Sequence, residues 1–218
     1  SSTSRGLGDV YKRQGFIGSH LCEKLLSNSH YQVYGIDNLD PYYDIKIKES
    51  NLVRLQTFSN FHFYQEDILE TSLITQIQPQ IVIHLAALAG VRSSLENPRR
   101  YAEVNIIGTI HLLEQFRLLP ETKERKFILA SSSSVYGTNQ KIPFMETDAL
   151  DNINSPYAAS KRAAEIYAQM YHQLYQLNIT ALRFFTVYGP RGRPDMAPAK
   201  FMKSIQEGQE ITKYGDGS

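Results

Sequence analysis

Five runs dense in β-branched and aromatic residues recur along this chain with a helix-period pattern between each one and the next. That alternation restricts it to an α/β fold: a parallel sheet covered by helices on both faces. The strand runs are YQVYGID (Tyr31–Asp37), FHFYQED (Phe61–Asp67), QIVIHLAA (Gln80–Ala87), KFILASS (Lys126–Ser132) and ITALRFF (Ile179–Phe185). Helical patterns lie between them over 45–58, 70–78, 97–118 and 155–177, preceded by one over 18–29, with apolar residues recurring every three or four positions. In an open sheet of this kind ligands bind beyond the carboxyl ends of the strands. Asp37, Asp67, Ala86, Ala87, Ser131 to Ser134, Phe185 and Thr186 are therefore expected to line one crevice. No internal repeat or low-complexity linker divides the sequence, and 218 residues suffice for one sizeable core and the beginning of a second, smaller unit.

The stretch GFIGSH, followed by LCEKLL, puts Gly15 and Gly18 at the opening of the first helical pattern. There, orphan N–H groups and the positive end of the helix dipole can receive a pyrophosphate. Two glycines three apart are common; the spacing to Asp37 at the end of the next strand run is more telling. An acid there accepts a hydrogen bond from a ribose 2′-hydroxyl and repels a 2′-phosphate, so the expected cofactor is NAD rather than NADP.

A formal net charge of +1, with 21% charged and 42% hydrophobic residues, calls for no nucleic-acid or membrane partner. The longest apolar run, IVIHLAALAGV from Ile81 to Val91, falls well short of the roughly 20 residues of a membrane helix. The opening SSTSRGLGDVYKRQ has no apolar core of a secretory signal. The single cysteine, Cys22, excludes an internal disulfide and fits a reducing, cytoplasmic setting. His84 and Cys22 read as core residues, and no Cys/His spacing suggests a metal site.

The chemistry is expected on Tyr157 and Lys161. Ser155 suits a helix N-cap and Pro156 a first helical position, so Tyr157 falls in the first turn with Lys161 four residues on, along the same face. A free phenol titrates near pH ~10 and needs a nearby cation to act as a base at neutrality. Tyr and Lys four apart are frequent in long helices; what singles this pair out is the serine-rich strand end before it.

GFIGSH, GIDNLDPYYD (Gly35–Asp44), HLAALAGVRSSLENP (His84–Pro98), ASSSSVYG (Ala130–Gly137), SPYAASK (Ser155–Lys161) and RFFTVYGPRGRPDMA (Arg183–Ala197) occur in this order. Over residues 15–218 the set resembles the extended short-chain dehydrogenase/reductase family, and within it the NAD-dependent nucleotide-sugar 4-epimerases acting on UDP-glucuronate. The resemblance implies a Rossmann-type doubly wound parallel sheet, bound NAD, a UDP-sugar substrate and a homodimer built on the helices over 97–118 and 155–177.

It also implies roles for particular residues. Tyr157, Lys161 and Ser132 would be catalytic, with Ser132 hydrogen-bonding the sugar 4-oxygen, and Tyr157 and Lys161 would contact the cofactor as well. Gly15, Phe16, Ile17, Gly18, Asp37 and Asn38 would hold the cofactor together with Asp67 and Ile68 at its adenine. Leu85, Ala86 and Ala87 would pass its ribose and pyrophosphate, and Asn105 and Phe185 would touch it as well. Ser133, Thr186 and Arg193 would hold a sugar carboxylate, for which a guanidinium is well suited. Ser131, Ser134 and Arg191 read as ordinary turn and loop residues, and Arg92 is left open. The family's 4,6-dehydratases carry T-D-E-V-Y-G where this chain has Ser133 and Ser134 in place of the two acids, which disfavours water elimination. The alternatives within the family are UDP-glucose 4-epimerase and UDP-glucuronate decarboxylase; outside it, a catalytically incompetent fragment that keeps the fold.

Two departures from the family pattern stand at the ends. The first glycine of its G-x-x-G-x-x-G loop falls on Lys12, and Gly6, Gly8 and Asp9 occupy a stretch, about 4–10, where a central strand needs an apolar run. Residues 1–14 are accordingly expected to be foreign, with an atypical first strand. YGDGS at the other end stops in mid-loop, so the chain is expected to be truncated at both ends. The expected organisation is a segment 1–14, an NAD-binding domain 15–190, and the start of a small substrate domain at 191–218.

Overall fold

The computed structural model describes residues 10–11, 15–120, 122, 124–192, 194 and 196–211. Six parallel strands form one sheet in the order β3-β2-β1-β4-β5-β6. They are β1 (Val10–Tyr11), β2 (Val33–Ile36), β3 (Phe61–Tyr64), β4 (Ile81–His84), β5 (Lys126–Ser132) and β6 (Ile179–Phe184). The order reverses between β1 and β4, the point at which an open sheet forms its ligand crevice.

The main helices are α1 (Phe16–Leu26), α2 (Ile45–Leu55), α3 (Leu73–Ile77), α4 (Val91–Glu96), α5 (Pro98–Ala102), α6 (Gly108–Arg117), α7 (Pro156–Tyr175) and α8 (Ala197–Gln206). Side-chain alternation along the strands divides the core into two layers. Val33 of β2 joins Cys22, Leu26, Leu55 and Phe61 under α1 and α2. Ile36 of the same strand points the other way, into a cluster with Val82, Leu112, Phe116, Phe127 and Ala164 under α6 and α7. Cys22 and His84 are both core residues, at 0% and 2% exposure.

The sheet departs from the expected one at its centre. Val10 and Tyr11 pair with Gly35 and Ile36 on one side and Ile83 and His84 on the other. A strand therefore does form within the opening segment, two residues long among those described; residues 1–9 and 12–14, the Gly6–Asp9 stretch and Lys12 among them, lie outside the described residues.

The single helix expected over 97–118 is three pieces. Asn97 caps α5 by accepting from Arg100 N at 3.3 Å, Pro98 opens it, and a π-helical turn over Glu103–Ile107 joins it to α6. Such turns insert one extra residue and re-aim a side chain, here Asn105. Gly108 follows because α6 starts tight against the end of β3's loop: a Cβ there would lie 2.6 Å from Cδ1 of Ile68. At Gly137, which closes a 3₁₀ turn over Ser133–Tyr136, φ is +57° and a Cβ would meet Asn152 O at 1.8 Å, so only glycine fits.

Candidate active site

The strand ends bring six of the expected cofactor residues into one cleft, lined by Asp37, Asn38, Asp67, Ile68, Ala86 and Ala87. Each acid there organises its own loop: Asp37 Oδ1 accepts from Leu39 N at 2.8 Å, and Asp67 accepts from Leu69 N at 2.9 Å and from Asn38 Nδ2 at 2.8 Å. Asp37 Oδ2 is buried and has no hydrogen-bond partner among the described residues. A buried carboxylate oxygen left bare is costly, and a sugar hydroxyl entering the cleft would satisfy it. Beside the cleft, Gly15 caps α1 with extended backbone and offers no side-chain cap. The N–H groups of Phe16, Ile17 and the buried Gly18 thus open α1 as an anion-receiving turn.

Lys48 is a participant that the sequence pattern alone did not single out. It is 1% exposed, its ammonium donates to Asp40 O at 2.6 Å, stands 3.9 Å from Asp37 Oδ1, and lies 5.2 Å from the Tyr43 ring centroid. The signal was present: Lys48, Asn51 and Leu55 recur at three and four and form the buried stripe of α2. The loop after β2 is further tied across the crevice by the Asp40–Arg100 ion pair and the Tyr42–Ser93 hydroxyl contact at 3.1 Å.

Asn105 lies behind the cleft. Its Oδ1 accepts from Leu88 N at 2.7 Å, and its Nδ2 donates to Leu88 O and Ser160 Oγ, each at 2.9 Å. These three bonds fix the loop after β4 and join it to α7. Leu85 packs beneath, against the α1/α2 layer. Phe185, at 58% exposure, stands by Phe144 and Tyr136, with ring centroids at 6.2 and 6.5 Å.

At the next strand end, Ser155 caps α7 by accepting from Ala158 N at 3.1 Å, and Pro156 opens the helix. Tyr157 is half-buried, edge-on to Tyr101 at 6.2 Å. Lys161 is 5% exposed and donates to Ala130 O at 2.9 Å, two residues before Ser132. Ser132 Oγ in turn accepts from Ser134 N at 3.2 Å, fixing the 3₁₀ turn that carries Ser133. Lys161 and Ser132 therefore belong to one α7–β5 junction, with Tyr157 one turn before Lys161 on α7. Thr186 is exposed on the loop after β6, and Arg193 lies outside the described residues, so the expected carboxylate clamp is not assembled among them.

Two residues expected to be ordinary loop or turn residues are not. Ser131 is buried and donates to Glu165 Oε1 at 2.5 Å. Arg191 reaches back to α1 and forms a fork on Glu23 at 2.7 and 2.9 Å, which anchors the loop after β6 to the second half of α1.

Glu165 is 7% exposed and accepts from Arg183 Nε and Nη2, both at 3.0 Å, and from Arg162 Nη1 at 3.3 Å. Burial opposes its charge. The hydrogen bonds from Arg183 and Ser131 and the charges of Arg183 and Arg162 outweigh it, holding the carboxyl below its ordinary value of 4.5. A lowered carboxyl contributes stability that is full above the ordinary value and is lost as pH falls through the lowered one. The urea midpoint is therefore expected to fall on acidification below about 4.5, with a shallower fall in Glu165→Gln. Equal slopes in the two proteins contradict this.

The family model described as GDP-mannose 4,6-dehydratase matches residues 13–218. The chain belongs to this family. It is 42% identical over 207 residues to a probable UDP-glucuronate 4-epimerase of Rhizobium meliloti (strain 1021), covering 93% of this chain and 60% of the relative. It is 46% identical over 208 residues to the UDP-glucuronate 4-epimerase of Thermodesulfobacterium geofontis (strain OPF15), covering 94% and 63%. Among solved structures, UDP-glucuronic acid 4-epimerase from Bacillus cereus, in complex with UDP-glucuronic acid and NAD, superposes with a TM-score of 0.89 at 41% identity, over 96% of this chain and 66% of that one. The chain thus spans just under two thirds of the length of these relatives. Their shared sheet and helices agree with the doubly wound fold described above.

Proposed function

We propose that this chain carries the cofactor-binding and catalytic side chains of an NAD-dependent UDP-glucuronate 4-epimerase, interconverting UDP-glucuronate and UDP-galacturonate through a 4-keto intermediate. The observation that carries the reading is the α7–β5 junction, where Lys161, one turn on from Tyr157, reaches β5 two residues before Ser132, together with a cleft that holds a bare Asp37 oxygen. Likeness to the Bacillus cereus enzyme and to the curated relatives supports the substrate class.

The residues present fit NAD. Asp37 Oδ2 would accept from a ribose hydroxyl, Asn38, Asp67 and Ile68 would border the adenine, Ala86 and Ala87 would line the way past the ribose, and Gly15 to Gly18 would receive the pyrophosphate. NAD held by these residues would supply reversible hydride transfer at C4 of the sugar. Tyr157, as phenolate, takes the proton of the 4-hydroxyl, and the Lys161 ammonium favours that phenolate over the phenol. Ser132 hydrogen-bonds the 4-oxygen as it becomes a carbonyl. Turning the ketone within the site presents its other face, and the Tyr157 proton goes back to the 4-oxygen as C4 is inverted.

A 4-keto uronic acid is a β-keto acid and loses CO2 when its carboxylate bond aligns with the carbonyl. Ser133 and Thr186, with Arg193, would hold the carboxylate out of that alignment. Ser133→Ala and Thr186→Ala are expected to raise the fraction of pentose nucleotide among the products, read by chromatography of the reaction mixture. An unchanged product ratio counts against their role.

The same reading assigns residues 15–190 to cofactor binding and 191–218 to the start of a substrate-binding unit. A homodimer in the cytoplasm completes it. The apolar Ile107, Leu118, Ile166 and Leu174 stand more than half exposed on the helices expected to pair, and no described helix is long and apolar enough to cross a membrane. The test is to purify the chain, measure NAD released on denaturation, and assay UDP-glucuronate for conversion to UDP-galacturonate. NAD binding with 4-epimerisation supports the proposal; NAD binding with pentose as the sole product favours decarboxylation instead.

A further inference from the structure

Glu165 and Arg183 have no part in the chemistry proposed above, yet they form the most heavily hydrogen-bonded buried charge cluster at the catalytic junction. A carboxylate offers about four acceptor positions, and those of Glu165 are taken. Oε1 accepts from Ser131 Oγ at 2.5 Å and Arg183 Nε at 3.0 Å, and Oε2 accepts from Arg183 Nη2 at 3.0 Å and Arg162 Nη1 at 3.3 Å. Arg183 contributes two of the four, and β-sheet register sets it directly beside Ser131. Its remaining Nη1 donates to Tyr136 Oη at 3.1 Å and Glu146 O at 3.2 Å, so the guanidinium is held from both sides.

One helical turn back from Glu165 on α7 is Lys161. Residues four apart on a helix are neighbours, and a lysine and a glutamate so spaced attract one another. The two side chains also reach adjacent residues of β5: Lys161 donates to Ala130 O, and Glu165 accepts from Ser131. A Glu165 with vacant acceptor positions in this buried setting would therefore compete for the Lys161 ammonium. We propose that Arg183 is a positioning residue: by filling and neutralising Glu165 it leaves the Lys161 ammonium at Ala130 O, one turn of α7 from Tyr157 and free to act on it. The proposal rests on the Tyr157–Lys161 reading above.

Glu165 is bonded to Arg162 from α7, Ser131 from β5 and Arg183 from β6, with Lys161 one helical turn back along α7. Changing one at a time, and then in pairs, separates charge from packing. The ionisation of Tyr157 is read on the 218-residue chain by ultraviolet difference titration of the phenolate, each variant measured against its own Tyr157→Phe counterpart so that one phenol is isolated from the 14 tyrosines.

Arg183→Met is expected to raise the Tyr157 midpoint by about one pH unit, as a cation is drawn away from it. Adding Glu165→Gln to Arg183→Met is expected to bring the midpoint most of the way back, because the competing carboxylate is gone. A purely structural role predicts the opposite, a double variant at least as displaced as the single, and that result overturns the proposal, as does a midpoint unmoved in Arg183→Met. Arg183→Lys is the milder arm if Arg183→Met does not fold: it keeps the charge but gives up the fork. Its expected shift has the same sign and is removed by Glu165→Gln; no shift, or one that Glu165→Gln leaves in place, overturns the proposal. Lys161→Met serves as the control on the underlying reading. It must itself raise the midpoint, and if it does not, the Tyr157–Lys161 assignment fails and the role of Arg183 with it.

Discussion

Tyr157→Phe is expected to lower the rate of UDP-glucuronate epimerisation by about 100- to 10,000-fold, the usual worth of a positioned acid–base group, while the amount of NAD bound stays the same. The phenyl ring keeps its place in the first turn of α7, edge-on to Tyr101, and the cofactor cleft lies at the ends of β2, β3 and β4. Only the proton-transferring oxygen is lost. Steady-state rates and NAD content measured on the same preparation check both halves. A variant that keeps more than about a tenth of the parent rate removes Tyr157 from the role of base.

The second large effect falls on stability. Lys48 and Asp37 are side chains with 1% and 0% exposure, 3.9 Å apart. Removing one partner of a buried pair strands the other, at a cost of about 3–5 kcal/mol. Lys48→Met is therefore expected to destabilise the chain by that order and to weaken NAD binding, since Asp37 stands at the cleft. Lys48→Met combined with Asp37→Asn, which leaves no stranded charge, is expected to recover much of the stability without the NAD binding. Urea unfolding of the four proteins measures this, and additive losses in the double variant would show that the two residues act independently.

The sheet was legible because its strands are dense in β-branched and aromatic residues, and β2 to β6 fall within the five expected segments. The cleft was legible for a related reason. Strand ends fix where side chains converge, so Asp37, Asp67 and Ala86 to Ala87 were placed by topology before any contact was known.

What stayed hidden depends on partners distant in sequence. Arg191 read as a solvated loop residue because its partner Glu23 lies 168 positions away. Ser131 read as a turn residue because the carboxylate it serves, Glu165, is on another element, 34 positions on. Asn105 looked like a cofactor contact because its position suits one. Its bonds to Leu88 and Ser160 stayed hidden because those partners lie 17 and 55 positions away. The pairing of Val10 and Tyr11 with β2 and β4 at the sheet centre was not legible because it joins them to residues 25 to 73 positions away.

The most direct test of the central claim follows the hydrogen at C4. The purified chain is supplied with NAD and with UDP-glucuronate carrying deuterium at C4, and the products are read by nuclear magnetic resonance. The proposed route predicts UDP-galacturonate with the deuterium still at C4, because the same hydride leaves and returns, and no such product from Tyr157→Phe. A pentose nucleotide with CO2, a galacturonate that has exchanged its C4 label with solvent, or an NAD-bound chain that leaves the substrate untouched would contradict it.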